Sequence, residues 1–349
     1  MTPPIPRLYC PIPDLVHDRA LDLNVSTMAW VQRLGLYRDE EQYKRLVRLQ
    51  PGLLAARVVP DGDFAAMGVF VDFHTWLFAL DDAYCDEGEL GRKPGELATL
   101  FAKLVRAAEV PSVPILAGNP FSESLRDIRT RLGACATDVQ IGRWVEAVRT
   151  YLSHQIWEAA NRVQGVVPTL EEYALMRIHN GAMKSSIMLL DVAGAYEVPA
   201  AEMETAEVRA LVEMCATLVG WDNDIYSHRK ETLRCGDGQN LLDVLVRENM
   251  YSLHEAMADA ASMRDRIMVQ FLRLRALVLD GGSEPVRRFV GSLGSWVRAN
   301  LEFSRTSDRY VGVDGMDEVE RACTDSRPDA LAEGPVPITP FEWWWSAGK

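Results

Sequence analysis

The chain has 349 residues, with 37 Lys+Arg against 50 Asp+Glu for a net charge of −13, and 48% of its positions are hydrophobic. The acid excess excludes nucleic acid as a partner, because phosphate backbones are held by clustered Lys and Arg. Ordinary apolar and charged fractions exclude a disordered chain. No run of about 18 apolar residues marks a transmembrane helix. The opening MTPPIPRLYCPIPDL lacks the basic start and apolar stretch of a secretory signal. A cytoplasmic location without membrane insertion is therefore the expectation. The six cysteines (Cys10, Cys85, Cys135, Cys215, Cys235, Cys323) are scattered without a CxxC pair, as the histidines are, which suits reduced thiols and gives a His/Cys metal site little support.

Residues 1–14 carry five prolines and are expected to run extended over the surface. From about residue 36 to residue 310 apolar residues recur at three-and-four spacing between short Pro/Gly breaks, which predicts a succession of helices. One helix is expected to start near Asp61-Gly62-Asp63 and to carry Phe64, Met67, Val71, His74, Phe78 and Asp81 as one stripe. Another opens at Pro168-Thr169-Leu170-Glu171-Glu172, where Thr169 and Glu172 make a capping box. With no solenoid repeat and no low-complexity linker, one large all-α domain is favoured. Residues 311–340 are acidic, rich in Gly and Pro and without apolar period, and they lead into Phe341-Glu342-Trp343-Trp344-Trp345. Three adjacent tryptophans cannot share one helix face. A staple onto the domain surface is the first expectation for this tail, and a cover over a cavity the second.

Two polar clusters interrupt apolar helices. In Asp81-Asp82-Ala83-Tyr84-Cys85-Asp86-Glu87, four carboxylates fall within seven residues. Asp81 continues the apolar stripe and should point inward, which is costly for a carboxylate unless it is paired or metal-bound. Asp82 and Asp86 would share a helix face, with Asp81 about 100° away. Oxygen-only ligands suit a hard cation such as Mg²⁺, while a solvated acidic helix end is the other reading of the same residues. In the second cluster, Asn223, Ser227 and Glu231 climb one face at i, i+4, i+8, above a small apolar surface of Val212, Ala216 and Val219. An amide oxygen, a hydroxyl and a carboxylate form a low-charge chelate for a divalent cation. A polar helix terminus with incidental spacing is the alternative. Lys230 brings a cation to the same end, whereas Cys85, His179 and His228 read as packing or surface residues.

DDxxxD at Asp81, Asp82 and Asp86, together with NDxxSxxKE from Asn223 to Glu231, resembles the bacterial class I terpene synthases. Arg177, 46 residues before Asn223, resembles that family's diphosphate-sensing arginine, and Arg309-Tyr310 its C-terminal Arg-Tyr pair. Asn180-Gly181 matches the helix break that carries the effector, with Gly181 in the effector role and Asn180 at a linker position often occupied by Asp. The resemblance spans about residues 50–312. It implies a single-domain helical bundle around a central apolar cavity, with the enzyme domain at residues 36–312. A Pro-rich segment at 1–35 would pack on that domain, and an acidic tail at 313–349 would carry Trp343 to Trp345.

The resemblance also implies three Mg²⁺ ions, with Mn²⁺ as the substitute, and a linear isoprenyl diphosphate substrate whose carbocation is cyclised. Asp81, Asp82 and Asp86 would hold metal on one side, and Asn223, Ser227 and Glu231 on the other. Arg177, Lys230, Arg309 and Tyr310 would bind the diphosphate, while Phe78 and Trp296 would present aromatic faces to the cation. Farnesyl diphosphate is the favoured substrate, with geranyl, methylated geranyl and geranylgeranyl diphosphate as alternatives. Homodimerisation is a family expectation. A prenyl-chain elongating enzyme would need a second Asp-rich motif in place of the Asn/Ser/Glu type. A non-catalytic helical interaction protein would show no stabilisation by Mg²⁺ with diphosphate.

Overall fold

The computed structural model describes residues 3–85, 88–234, 236–307 and 323–348. In chain order its α-helices are α1 Ala20–Leu34, α2 Glu40–Leu49, α3 Pro51–Val58, α4 Phe64–Leu80, α5 Pro94–Glu109, α6 Pro120–Cys135, α7 Asp138–Gln164, α8 Leu170–Asn180, α9 Met183–Ile187, α10 Leu190–Ala193, α11 Ala200–Met203, α12 Ala206–Arg234, α13 Leu241–Asn249, α14 Leu253–Gly281 and α15 Glu284–Thr306. Among the described residues the only β pairing is an isolated bridge between Tyr9 and Thr324. The fold is therefore all-α, as the periodicity predicts. Cys10, Cys85, Cys135, Cys215 and Cys323 are free thiols.

The chain forms two compact units, one of Leu15–Val163 with Ala182–Glu197 and the other of Met1–Asp14, Gln164–Gly181 and Val198–Lys349. In the first, α4 is the central helix and packs against α1, α2, α3, α6, α9 and α10. It starts where the sequence places it, because the Asp63 carboxylate accepts the backbone N–H groups of Ala65 and Ala66 at 3.1 and 2.9 Å. Apolar on nearly every face, the stretch Phe64–Cys85 is long and apolar enough to cross a membrane by length and composition, yet 67% of it is packed inside the protein. That is what a helix enclosed by neighbours requires.

Buried Asp72 on α4 accepts the Thr27 hydroxyl of α1 and pairs with Arg131 of α6 at 2.7 Å, tying three helices together. Helix α1 lies upstream of residue 36, where the helical periodicity was expected to begin. Its Asn24-Val25-Ser26-Thr27 run has weak helix propensity. The helix is held by burial of Leu23, Met28, Trp30 and Val31, a tertiary contribution that propensity does not register.

In the second unit α12 is central and packs against α8, α13, α14 and α15. Helix α8 opens with the expected capping box of Thr169 and Glu172, and α14 opens with another, of Ser252 and Glu255. The tail ends in a 3₁₀ helix, Thr339–Trp345, seated on α8 and α12. Phe341 and Trp344, three apart and therefore on one edge of a 3₁₀ helix, are buried and stack at 4.0 Å. Trp344 Nε1 donates to Glu213 at 3.1 Å, and Gln270 Nε2 donates to the Trp344 carbonyl at 2.7 Å. The tail is a staple, as first expected.

The proline-rich start departs from a purely surface course, because every second residue (Leu8, Cys10, Ile12) is buried. Between them the Tyr9 carbonyl accepts from Arg264 and the Tyr9 N–H donates to Asp265 at 3.0 Å.

Candidate active site

The first acidic motif does not continue as α-helix. Asp81–Cys85 is a π-helical turn closing α4, so the 100° step assumed for the stripe fails there. In the wider turn Asp82 is the buried carboxylate and Asp81 is half-buried, the reverse of the sequence expectation. Asp86 lies outside the described residues. The turn is fixed through its backbone. Arg162 Nη1 donates to the carbonyls of Cys85 and Gly91 at 3.1 and 3.2 Å. Gly91 approaches so closely that a Cβ there would sit 2.0 Å from the Cys85 oxygen. Phe78, one turn upstream, is half-buried and meets the His74 ring edge-on at 5.0 Å.

The second motif occupies α12, a regular helix, so its spacing reads as predicted. Val212, Ala216 and Val219 are buried below it. Asn223 and Glu231 are half-buried, and Ser227 between them is 1% exposed. The Ser227 Oγ is buried without a hydrogen-bond partner, a loss of about 1–3 kcal/mol unless a ligand meets it. Lys230 is buried on the same helix.

Arg177 reaches this helix from α8. Its Nη2 donates to Asn223 Oδ1 at 3.1 Å, to Asp224 Oδ1 at 2.6 Å and to the Gly220 carbonyl at 3.3 Å. Its stem lies along Gly220, where a Cβ would stand 3.5 to 3.6 Å from Nε and Cγ. Asp224 also accepts the Tyr173 hydroxyl. Burial raises the Asp224 carboxyl to about 6, with the Arg177 charge opposing the rise, and burial likewise pushes the Tyr173 phenol well up.

One residue back, Asp222 makes a fully buried two-point ion pair with Arg264 of α14, at 2.7 and 3.1 Å. Of three successive side chains, Asp222 thus turns to Arg264 while Asn223 and Asp224 share Arg177. Glu231 accepts from Asn240 Nδ2 at 2.9 Å. His228, read from sequence as a bystander, pairs with Asp243 at 2.9 Å.

The helix break expected at Asn180-Gly181 is present, but the left-handed residue is Ala182 (φ 61°) and not Gly181 (φ −69°). A Cβ on Gly181 would lie 3.6 Å from Arg177 Nη1, so the glycine borders the Arg177 guanidinium. Trp296, on α15, is 1% exposed. Arg309 and Tyr310 lie outside the described residues.

Sequence reasoning missed Tyr173, Gly220, Asp224 and Asn240. Tyr173 stands four residues before Arg177, on the same helix face, and Asp224 adjoins Asn223. Those two had a local signal; Gly220 and Asn240 had none.

Among the described residues no three His, Cys, Asp or Glu side chains converge on a metal-binding point. The Asn223, Ser227 and Glu231 set draws instead on an amide, a hydroxyl and one carboxylate. The donors are all oxygen and the central one is buried without a partner, so the set fits a hard divalent cation.

An all-helical chain with these two motifs has the class I terpene synthase fold. The family profile described as terpene synthase family 2, C-terminal metal binding, matches residues 72–270. The (+)-T-muurolol synthase of Streptomyces clavuligerus, named as (2E,6E)-farnesyl diphosphate cyclizing, is 41% identical over 97% of this chain and 81% of its own. The (+)-(1(10)E,4E,6S,7R)-germacradien-6-ol synthase of Streptomyces pratensis is 36% identical over 99% and 98%. The crystal structure of the SVS_A2 protein from ancestral sequence reconstruction superposes with a TM-score of 0.88 at 29% identity, covering 98% of both chains. The chain belongs to the terpene synthase family, and it is a carbon–oxygen lyase acting on a diphosphate ester.

Proposed function

We propose that this enzyme ionises farnesyl diphosphate with Mg²⁺ and cyclises the resulting cation to a terpene. The observation that carries the proposal is the buried, unpartnered Ser227 Oγ in line with Asn223 and Glu231, with Arg177 at the Asn223 end. The farnesyl assignment is supported by the 41% identical muurolol synthase, whose name specifies that substrate.

In this reading Asn223, Ser227 and Glu231 hold one side of the metal site, and Asp81, Asp82 and Asp86 hold the other. Bound Mg²⁺ supplies Lewis-acid stabilisation of the negative charge that develops on the leaving diphosphate. Arg177, Lys230, Arg309 and Tyr310 donate hydrogen bonds to the diphosphate oxygens as the allylic C–O bond breaks and its electron pair leaves with oxygen. Asn180 and Gly181 couple the sensor to the reacting end. Phe78, a half-buried residue, is the first aromatic face for the cation, with Trp296 second. The net charge of −13 is compatible with an anionic substrate because the acid at both motifs admits diphosphate only with divalent cations between them.

The test is incubation of the full chain and Mg²⁺ with geranyl, farnesyl and geranylgeranyl diphosphate in turn, with products identified by gas chromatography and mass spectrometry. Cyclic C15 products from farnesyl diphosphate are expected. Turnover of only another chain length overturns the substrate assignment, and no turnover of any overturns the reading.

A further inference from the structure

Glu231 occupies an unfavourable place for a metal ligand. It lies in the last turn of α12, where unpaired carbonyls leave partial negative charge and helices fray. A carboxylate there tends to turn toward water. Two contacts oppose this. The Gly236 N–H closes on the Glu231 carbonyl at 3.1 Å, and Asn240 Nδ2 donates to Glu231 Oε2 at 2.9 Å.

Asn240 is built for the task. It is 2% exposed. Its Oδ1 accepts the Leu242 N–H at 2.9 Å as the N-cap of α13, and its amide nitrogen also donates to the backbone carbonyl of Asp224 at 3.1 Å. Both ends of the amide are thereby committed, and its orientation is fixed by the cap. The donor reaching Glu231 is neutral. A lysine or arginine there would hold the carboxylate equally well but would cancel the charge that a cation needs. An amide holds the rotamer and leaves the charge in place.

We infer that Asn240 is the positioning residue for Glu231, presenting its carboxylate to the divalent cation; the inference rests on the proposed metal role of Glu231. Outer partners of metal ligands typically change metal affinity by about 10–100-fold when removed. Asn240→Ser keeps a side-chain oxygen for the α13 cap, since Ser is as good an N-cap as Asn, and loses the amide donor to Glu231 and Asp224. Asn240→Thr, also a capping hydroxyl, serves as the second variant if the first does not fold.

The experiment measures the melting temperature of the full chain against Mg²⁺ concentration at fixed inorganic diphosphate, and takes the Mg²⁺ concentration at half-maximal shift. It is run for the unsubstituted chain, Asn240→Ser, Glu231→Gln and the double variant. The expected result is a rise of about tenfold in that concentration for Asn240→Ser, with little further rise when the substitution is added to Glu231→Gln. A purely structural Asn240 would lower the melting temperature without ligand and leave the Mg²⁺ requirement alone, or would add the same factor in both backgrounds. Either outcome overturns the inference. No shift with the unsubstituted chain overturns instead the metal–diphosphate reading on which it rests.

Discussion

In the Asp81–Cys85 turn Arg162 and Gly91 brace a backbone carbonyl from outside, whereas along Asn223–Glu231 outside partners act chiefly on side chains. The first motif ends a helix in a π turn whose last carbonyl needs a donor from elsewhere, and Arg162 supplies it at Cys85 while Gly91 closes on the same carbonyl. The second lies on a regular helix whose backbone bonds are mostly internal, so Tyr173, Arg177 and Asn240 act chiefly on side-chain oxygens, with the Asp224 carbonyl as a further acceptor for Asn240. The difference teaches that two motifs of similar composition can be organised by different means. A motif at a helix end inherits its geometry from the loop that follows, and one within a helix inherits its geometry from the helices beside it.

The largest effect is expected at the proposed ligands. Asn223→Ala or Glu231→Ala should lower turnover of farnesyl diphosphate by roughly 10²–10³-fold, as when a group stabilising developing charge is removed. Far-ultraviolet circular dichroism should change little, because neither side chain is core. Retained turnover in either variant would remove the second motif from the chemistry.

Asp224→Ala comes next. It leaves the Arg177 guanidinium and the buried Tyr173 hydroxyl without their shared acceptor, and breaking a buried pair from one side costs about 3–5 kcal/mol. Urea denaturation should show that loss. Asp224→Asn, which keeps an acceptor for Tyr173, should lose less. If the alanine variant unfolds at the unsubstituted midpoint, side chains do not organise the second motif.

The corresponding change in the first motif is smaller. Gly91→Ala forces a Cβ to 2.0 Å from a backbone oxygen, and such overpacking costs about 1–3 kcal/mol. Gly95→Ala is the control, because nothing lies within 4 Å of its Cβ position and alanine favours a helix by up to about 1 kcal/mol. The two variants should shift the thermal midpoint in opposite directions. Equal tolerance of both would remove the close approach as the means of fixing the turn.

Near neutral pH the smallest expected effect lies upstream of that turn, and it grows only as the pH falls. Burial lowers His74 from 6.5 to about 4, where it rests between Phe70 and Phe78 and bonds Ser186 Oγ at 3.2 Å. Between those values the unfolded chain binds the proton and the folded chain does not. The contribution is therefore fully present above pH 6.5 and is lost as pH falls toward 4, by at most about 1.4 kcal/mol per pH unit. His74→Gln should flatten the dependence of unfolding free energy on pH across that window. An unchanged slope would mean that His74 is not buried neutral.

Much of this protein is legible locally. Three-and-four spacing gave the all-helical class, Asp63 and the Thr169–Glu172 box gave two helix starts, and i, i+4, i+8 spacing placed Asn223, Ser227 and Glu231 on one face, because each depends only on residues within a turn or two. Tertiary structure decided the rest. It turned Asp81–Cys85 into a π turn and so buried Asp82 in place of Asp81. It put the left-handed residue at Ala182 and gave α1 enough buried surface to form despite its weak propensity. It also joined Tyr173 and Arg177 to Asp224 across about fifty residues and Asn240 to Glu231 across nine. Spacing along one helix fixes which residue types share a face. Which of them is buried, orphaned or held depends on neighbours brought in from distant parts of the chain, and no local period encodes those.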